Sequence, residues 1–317
     1  MRKGIVLGGY FGFGNAGDEL IARVVRGAAP SLPWRTLGQD TSRWNPFGLV
    51  NLLRRSKALV YGGGELFQAR TSRRSLLYYA ALPILARALG ARFFAFGMGL
   101  DPGLSHEGTS LAVRVLDRAE RIWFRDEASL SLYKNAGGRA EARVAADPVW
   151  AWPSTEEPAP PAALRRVLWI PRAPAKRERI EALAARVGGT PGYLFLHPSR
   201  DAGAFDSPPG TEPWDSVEDL LPIFGGYDAV VSMRYHGLLL AALAGRPAVA
   251  LAAHPKVSAL AEELGFPSLP FETSAARVSE ALMSAFAHRM DIPLRVRERK
   301  DRAQRGLDEL RETLEAI

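Results

Sequence analysis

Cysteine is absent from the 317 residues, which excludes disulfides, thiolate metal sites and a cysteine nucleophile. Histidine is scarce. The five residues, at 106, 197, 236, 254 and 288, form no HExxH arrangement, so a zinc hydrolase is poorly supported. Long apolar runs are missing too. The most apolar stretch, 76–100, is broken by Arg87 and Arg92, whereas a spanning helix needs about 20 apolar residues in a row. The opening MRKGIVLGG has the look of a leader, but its apolar run is short, rich in glycine and soon followed by Asp18 and Glu19. It reads as a first buried strand, and a cytoplasmic protein is expected. Acidic residues are outnumbered, 34 against 41 basic, giving a net charge of +7. That balance favours anionic partners such as phosphates or anionic lipid surfaces. Nucleic acid is disfavoured because no aromatic-basic motif accompanies the charge.

What is present is ordinary globular composition, with 47% hydrophobic and 24% charged residues. The length predicts two domains. Short apolar runs at 4–8, 58–61, 92–96, 121–124, 143–145, 167–170, 192–196, 229–232 and 247–250 read as strands covered on both faces. Helical patterns alternate with them, including 19–28, 75–89, 105–119, 127–136, 177–187, 235–244, 258–264 and 275–288. This alternation predicts parallel sheets with right-handed crossovers. Four prolines between 153 and 161 interrupt it, and such a stretch neither continues a helix nor joins a central strand. The expected organisation is therefore two Rossmann-like domains facing a cleft. An N-terminal domain covers 1–155, a second covers 163–290, and a basic amphipathic C-terminal helix covers 291–317. That helix docks on a domain or, alternatively, touches a membrane surface. The stretch 198–216, rich in Gly, Pro and Asp, reads as a loop, either a candidate lid or plain surface disorder.

Chemistry is expected where strands end. GGYFGFGNAGDELI, residues 8–21, follows a strand and opens a helix. Its glycines, Gly14 among them, allow close approach, and amides at the helix start can cradle an anion beside Asn15 and Asp18. The alternative is a glycine-rich turn capped by Asp18. In LVYGGGELFQ, 59–68, a strand runs into Gly62, Gly63 and Gly64, then Glu65 and Gln68. A ligand can come close there, or the polar residues simply decorate a tight turn. Arg70, Arg73 and Arg74 follow, as a pyrophosphate-binding cluster or a solvated face. Arg125 and Asp126 open the next helical pattern, with Asp126 as its cap, and Asp147 stands before a proline at a strand end.

In VLWIPRAP, 167–174, Arg172 lies just past a strand, and its planar donor fork suits carboxylate or phosphate. DAVVSMRYHGLLLAALAGRPAVAL, 228–251, is the most informative segment. A buried strand ends near Ser232, and Arg234 and His236 precede an apolar helix, whose N-terminus favours bound anions. His254 and Lys256 follow the next strand as secondary candidates.

Taken together, GYFGFGNAGDELI, GGGELFQ, FRDEASL, ADPVW, SMRYHGLLLAALAGRPAVAL and HPKVSALAEELG resemble the polysaccharide pyruvyl transferase family, in the family's order over roughly residues 4–290. The CsaB-type branch is the most similar. The resemblance implies a GT-B-like fold, phosphoenolpyruvate as donor and formation of a pyruvate ketal on a sugar. For that branch it implies a terminal N-acetylmannosamine of a lipid-linked cell-wall polysaccharide precursor, whose pyruvylated form anchors S-layer proteins. It also implies functional roles for Arg172, Arg234 and His236. The chemistry fits these types: two guanidinium groups against carboxylate and phosphate, His236 as general acid or phosphate ligand, and Asp18 or Glu65 as base for the sugar hydroxyls. The glycines, Asn15, Gln68 and Lys256 complete the expected binding set. No metal or organic cofactor is required. A lipid-linked acceptor would place the protein at the inner face of the membrane. A nucleotide-sugar glycosyltransferase of the same architecture and a non-catalytic glycan- or lipid-phosphate-binding protein are the competing readings.

Overall fold

The computed structural model describes residues 4–42, 45–68, 73–153, 159–173, 175–205, 208–252 and 254–317. The chain divides into two compact units. The first comprises 1–13, Asp18–Trp152 and Lys300–Ile317, and the second comprises Gly14–Gly17 and Pro153–Arg299.

The first unit runs β1 (Gly4–Gly8), α1 (Ala16–Ala28), β2 (Trp34–Thr36), α2 (Pro46–Arg55), β3 (Ser56–Gly64), α3 (Arg73–Ala88), β4 (Arg92–Met98), α4 (His106–Leu116), β5 (Arg121–Phe124), α5 (Glu127–Asn135) and β6 (Ala142–Val144). The strands pair in parallel in the order β2-β1-β3-β4-β5-β6. The continuous apolar runs become central strands because both faces are covered. Leu49 and Leu53 of α2, Leu76 and Tyr79 of α3 and Ala112 and Leu116 of α4 pack with Val6, Leu59 and Phe93 on one face. The chain order reverses between β1 and β3, and ligands in such sheets bind outside the carboxyl ends of strands at that point. The glycine-rich segments after β1 and at the end of β3 lie there.

The second unit runs β7 (Arg166–Ile170), α6 (Arg177–Val187), β8 (Thr190–Tyr193), α7 (Pro198–Phe205), α8 (Leu220–Gly225), β9 (Ala229–Ser232), α9 (Tyr235–Leu243), β10 (Ala248–Ala252), α10 (Pro255–Leu264), β11 (Ser268–Pro270), α11 (Ala275–Ala287) and the start of α12 (Ile292–Glu315). Its sheet is again parallel, ordered β11-β10-β9-β7-β8. The reversal falls between β7 and β9, where Ile170 pairs with Ser232. Helix α9 is apolar all round and buried from Gly237 to Leu243, as a central helix must be.

The structure corrects the reading of 198–216 as a loop: its first part is helix α7. In α12, Arg295 and Arg299 donate to the Leu264 and Glu263 carbonyls at the end of α10. They dock the helix by filling carbonyls that a helix terminus leaves open. Later in α12, Glu309 accepts from Trp123 Nε1 at 2.8 Å within the first unit. Residues 154–158 of the proline-rich stretch fall outside the described residues.

Candidate active site

In the second unit, three loops meet at the carboxyl edge of the sheet. Arg172 and Arg234 each stand two residues beyond the paired Ile170 and Ser232, so they flank the reversal point from both sides. The Met233 amide donates to the Ile170 carbonyl at 3.0 Å, extending the pairing into these loops. Ser232 Oγ accepts from the Arg234 amide at 3.0 Å and donates to the Arg234 carbonyl at 2.9 Å, which fixes the turn into α9. Gly237 leaves room for that hydroxyl, since a Cβ there would lie 2.2 Å from Ser232 Oγ.

The third loop contributes a residue that periodicity did not single out. Asp201 on α7 is fully buried. Both its carboxylate oxygens accept from Arg234 Nη2, at 2.6 and 2.5 Å. Its Oδ1 also accepts from the Ala173 amide at 3.2 Å. One carboxylate thus ties the loop bearing Arg172 to the guanidinium of Arg234. Part of the Arg234 fork is therefore committed, and the remaining N–H groups are the ones available to a ligand. Its Nε is buried without a hydrogen-bond partner among the described residues. The signal in the sequence was only an aspartate four residues after His197 and two after Ser199, beyond the end of β8.

His197 is the second addition. It ends the segment after β8, is 6% exposed, and its Nδ1 lies 3.3 Å from Ser199 Oγ. Burial, then the nearby Arg234 charge, push its pKa below the ordinary 6.5, with Asp201 pulling partly the other way. His236 occupies the first turn of α9, half-buried, with its ring edge-on to Tyr235 at 5.2 Å between centroids. Gly17 packs against this imidazole so closely that a Cβ would lie 1.9 Å from His236 Nδ1. The same segment donates the Ala16 amide to the Leu196 carbonyl at 2.7 Å. His254 caps α10, its Nδ1 accepting from the Lys256 amide at 3.2 Å, and Lys256 is half-buried in the first turn.

The glycine-rich loop after β1 is less open than its sequence implies. The Gly12 amide donates to Glu19 Oε1 at 2.7 Å, and Gln39 holds the other Glu19 oxygen at 2.5 Å. With the Ala16 amide also engaged, two of the amides expected to cradle an anion are already satisfied. Gly14 has positive φ and open space around it, and Asn15 is half-buried. Asp18 is buried in the first turn of α1 rather than capping it, and a Cβ on Gly64 would lie 3.4 Å from its Oδ1. Gly63 and Gly64 both have positive φ, 71° and 77°, the left-handed region where glycine alone is unstrained.

Glu65 is buried and accepts from Arg125 Nη2 at 2.5 Å, while Arg125 Nε bonds Asp126 Oδ2 at 3.0 Å. Asp126 caps α5 through the Ser129 amide at 2.7 Å. Asp147 likewise caps a short 3₁₀ turn through the Val149 amide at 3.0 Å. Gln68 is half-buried. Arg70 lies outside the described residues. Among the described residues, no group of three or more His, Asp or Glu could hold a metal ion, and no helix is long and apolar enough to cross a membrane.

The comparisons bear on both units. The family model of polysaccharide pyruvyl transferases matches residues 15–255. No curated protein is significantly similar. Among solved structures, Anabaena Alr3699/HepE in complex with UDP and glucose is similar with a TM-score of 0.59 at 13% identity, over 99% of this chain and 100% of that one. A putative UDP-N-acetylglucosamine 2-epimerase from Listeria monocytogenes has a TM-score of 0.62 at 9% identity, over 100% and 98% of the chains. The S. aureus MnaA–UDP structure gives 0.62 at 10% over the same shares. These likenesses show the fold, which is of the GT-B type.

Proposed function

Because the chain belongs to the polysaccharide pyruvyl transferase family, we propose that it moves the enolpyruvyl group of phosphoenolpyruvate onto two hydroxyls of a sugar, forming a pyruvate ketal. The observation that carries the donor assignment is the position of Arg172 and Arg234, each two residues beyond the paired Ile170 and Ser232 at the reversal point of the second sheet, with His236 in the first turn of α9. A small ester carrying both carboxylate and phosphate suits two guanidinium groups and a helix N-terminus. Lys256, in the first turn of α10, adds a further cation at the same sheet edge.

In this reading His236 delivers a proton to the methylene carbon of the enol ester. C2 becomes oxocarbenium-like and is attacked by one sugar hydroxyl. The C2–O bond to phosphorus then breaks, inorganic phosphate leaves, and the second hydroxyl closes the ketal. Two protons leave the hydroxyls: one restores the acid and the other departs with phosphate. The base for the sugar hydroxyls is Asp18 or Glu65; if Glu65 serves, its protonation gives up a charge-assisted bond to Arg125. The acceptor is assigned to the glycine-rich segments after β1 and at the end of β3, with Gly14, Asn15, Gly63, Gly64 and Gln68.

The acceptor we propose is the terminal N-acetylmannosamine of a lipid-linked secondary cell-wall polysaccharide precursor, as in the CsaB-type branch. The protein would then work at the inner face of the membrane, and its product would anchor S-layer proteins. A glycosyltransferase reading draws support from the UDP complexes of the structural neighbours. The discriminating experiment incubates the protein and acceptor with carbon-labelled phosphoenolpyruvate or with a UDP-sugar. Phosphate release, with the acceptor gaining one labelled pyruvate less one water, supports the ketal reaction. Transfer of a hexose with release of UDP overturns it.

A further inference from the structure

Helices α2 and α3 cover the same face of the first unit's sheet through Leu49, Leu53, Leu76 and Tyr79. What they turn outward is unusual. Phe47 is 87% exposed in the first turn of α2, and Leu77 and Ile84 are 60% and 44% exposed on α3. Leu77, Ala81, Ile84 and Ala88 recur at helical spacing and are all exposed, so α3 has an apolar stripe toward solvent as well as one toward the core. A solvent-facing helix surface is ordinarily charged, and a contiguous apolar patch on it marks an interaction site.

The charged side chains that α2 and α3 themselves carry are of one sign, although Arg87 at the end of α3 lies 4.0 Å from Glu120. The sequences of α2 and α3, PFGLVNLLRR and RRSLLYYAALPILARA, contain five arginines and no aspartate or glutamate. In a chain with 34 acidic residues, that gives these two helices a local charge of +5. Arg54, Arg55 and Arg74 are exposed. Apolar side chains flanked by arginine, on helices that carry no acid, match a surface that is hydrocarbon just beneath an anionic layer. A second copy of this chain would set +5 against +5, so charge complementarity argues against that occupant.

We propose that the outward face of α2 and α3 is a docking surface for an anionic lipid bilayer. Leu77, Ile84 and Phe47 enter the acyl boundary while Arg54, Arg55 and Arg74 meet the headgroups. This differs from the C-terminal helix, whose Arg295 and Arg299 are engaged with the end of α10. The inference does not depend on the reaction catalysed.

The test is co-sedimentation of the full chain with vesicles of phosphatidylglycerol and phosphatidylethanolamine, against vesicles of phosphatidylcholine alone, at low and high salt. Binding is expected only to the anionic vesicles and to weaken with salt. The Leu77→Gln/Ile84→Gln double variant should lose at least about tenfold in partition coefficient, and Arg54→Gln/Arg55→Gln/Arg74→Gln a comparable amount. Both variants alter exposed positions, and circular dichroism checks that they fold. Failure of the native chain to sediment, equal binding to neutral vesicles, or binding indifferent to both variants overturns the proposal. So does a native dimer in light scattering that Leu77→Gln/Ile84→Gln dissolves, because a second copy then covers this face.

Discussion

Asp201 gives both carboxylate oxygens to one nitrogen of Arg234, and the same carboxylate accepts from the Ala173 amide. The pair is buried, with the Asp201 side chain 0% and the Arg234 side chain 14% exposed. Removing one partner of such a pair leaves an uncompensated charge, at a cost on the order of 3 kcal/mol. Asp201→Ala should therefore lower stability in urea by about that much. Asp201→Asn keeps the shape and should lose less. Under the proposed function it should raise KM for phosphoenolpyruvate more than it lowers kcat, because it loosens Arg234 without touching the proton donor.

His197 makes stability depend on pH. Its folded pKa lies below the ordinary 6.5 because burial and Arg234 oppose the charged form. The unfolded chain therefore takes up the proton first on acidification. Stability from this group is fully present above 6.5 and falls as pH drops from there through the folded value. Thermal melts across this window should show wild type losing melting temperature toward acid and His197→Gln losing less.

Gly17 tests whether the His236 position matters. Gly17→Ala places a Cβ 1.9 Å from His236 Nδ1, so the imidazole must move. Turnover should fall at least about tenfold, since small misplacements of catalytic groups cost that much or more. Gly27→Ala in the same helix meets nothing within 4 Å. It should leave turnover alone and raise stability by about 0.5–1 kcal/mol.

The two candidate bases separate by readout. With Asp18 as the base, Asp18→Asn should reduce kcat by about 10²–10⁴-fold. Glu65→Gln should lower stability, because it removes one of the two carboxylates, Glu65 and Asp126, that pair with the buried Arg125. Steady-state kinetics alongside urea denaturation of both variants decides the matter.

Much of the fold was legible. The runs 4–8, 121–124 and 229–232 are strands with those bounds, and 177–187 is helix α6 as its period implies. Buried parallel strands announce themselves by unbroken apolar runs. The edge strands β2 and β11 did not, because three residues with alternating or partial burial carry little period. Helix α7 was hidden by its Pro, Asp and Gly content, which mimics a loop. Its Asp201 therefore could not be placed beside Arg234. That Arg172 and Arg234 end strands was readable; that β7 and β9 are neighbours follows only from topology. Nor could the sequence show that the glycine-rich loop gives its Gly12 amide to Glu19.

The proposed reaction requires a donor site in the second unit. Titration calorimetry of the native chain with phosphoenolpyruvate, repeated for Arg172→Gln, tests it directly. Saturable binding, weakened at least about tenfold by the substitution in a folded variant, is the predicted result. Absence of binding, or binding that Arg172→Gln leaves unchanged, would contradict it.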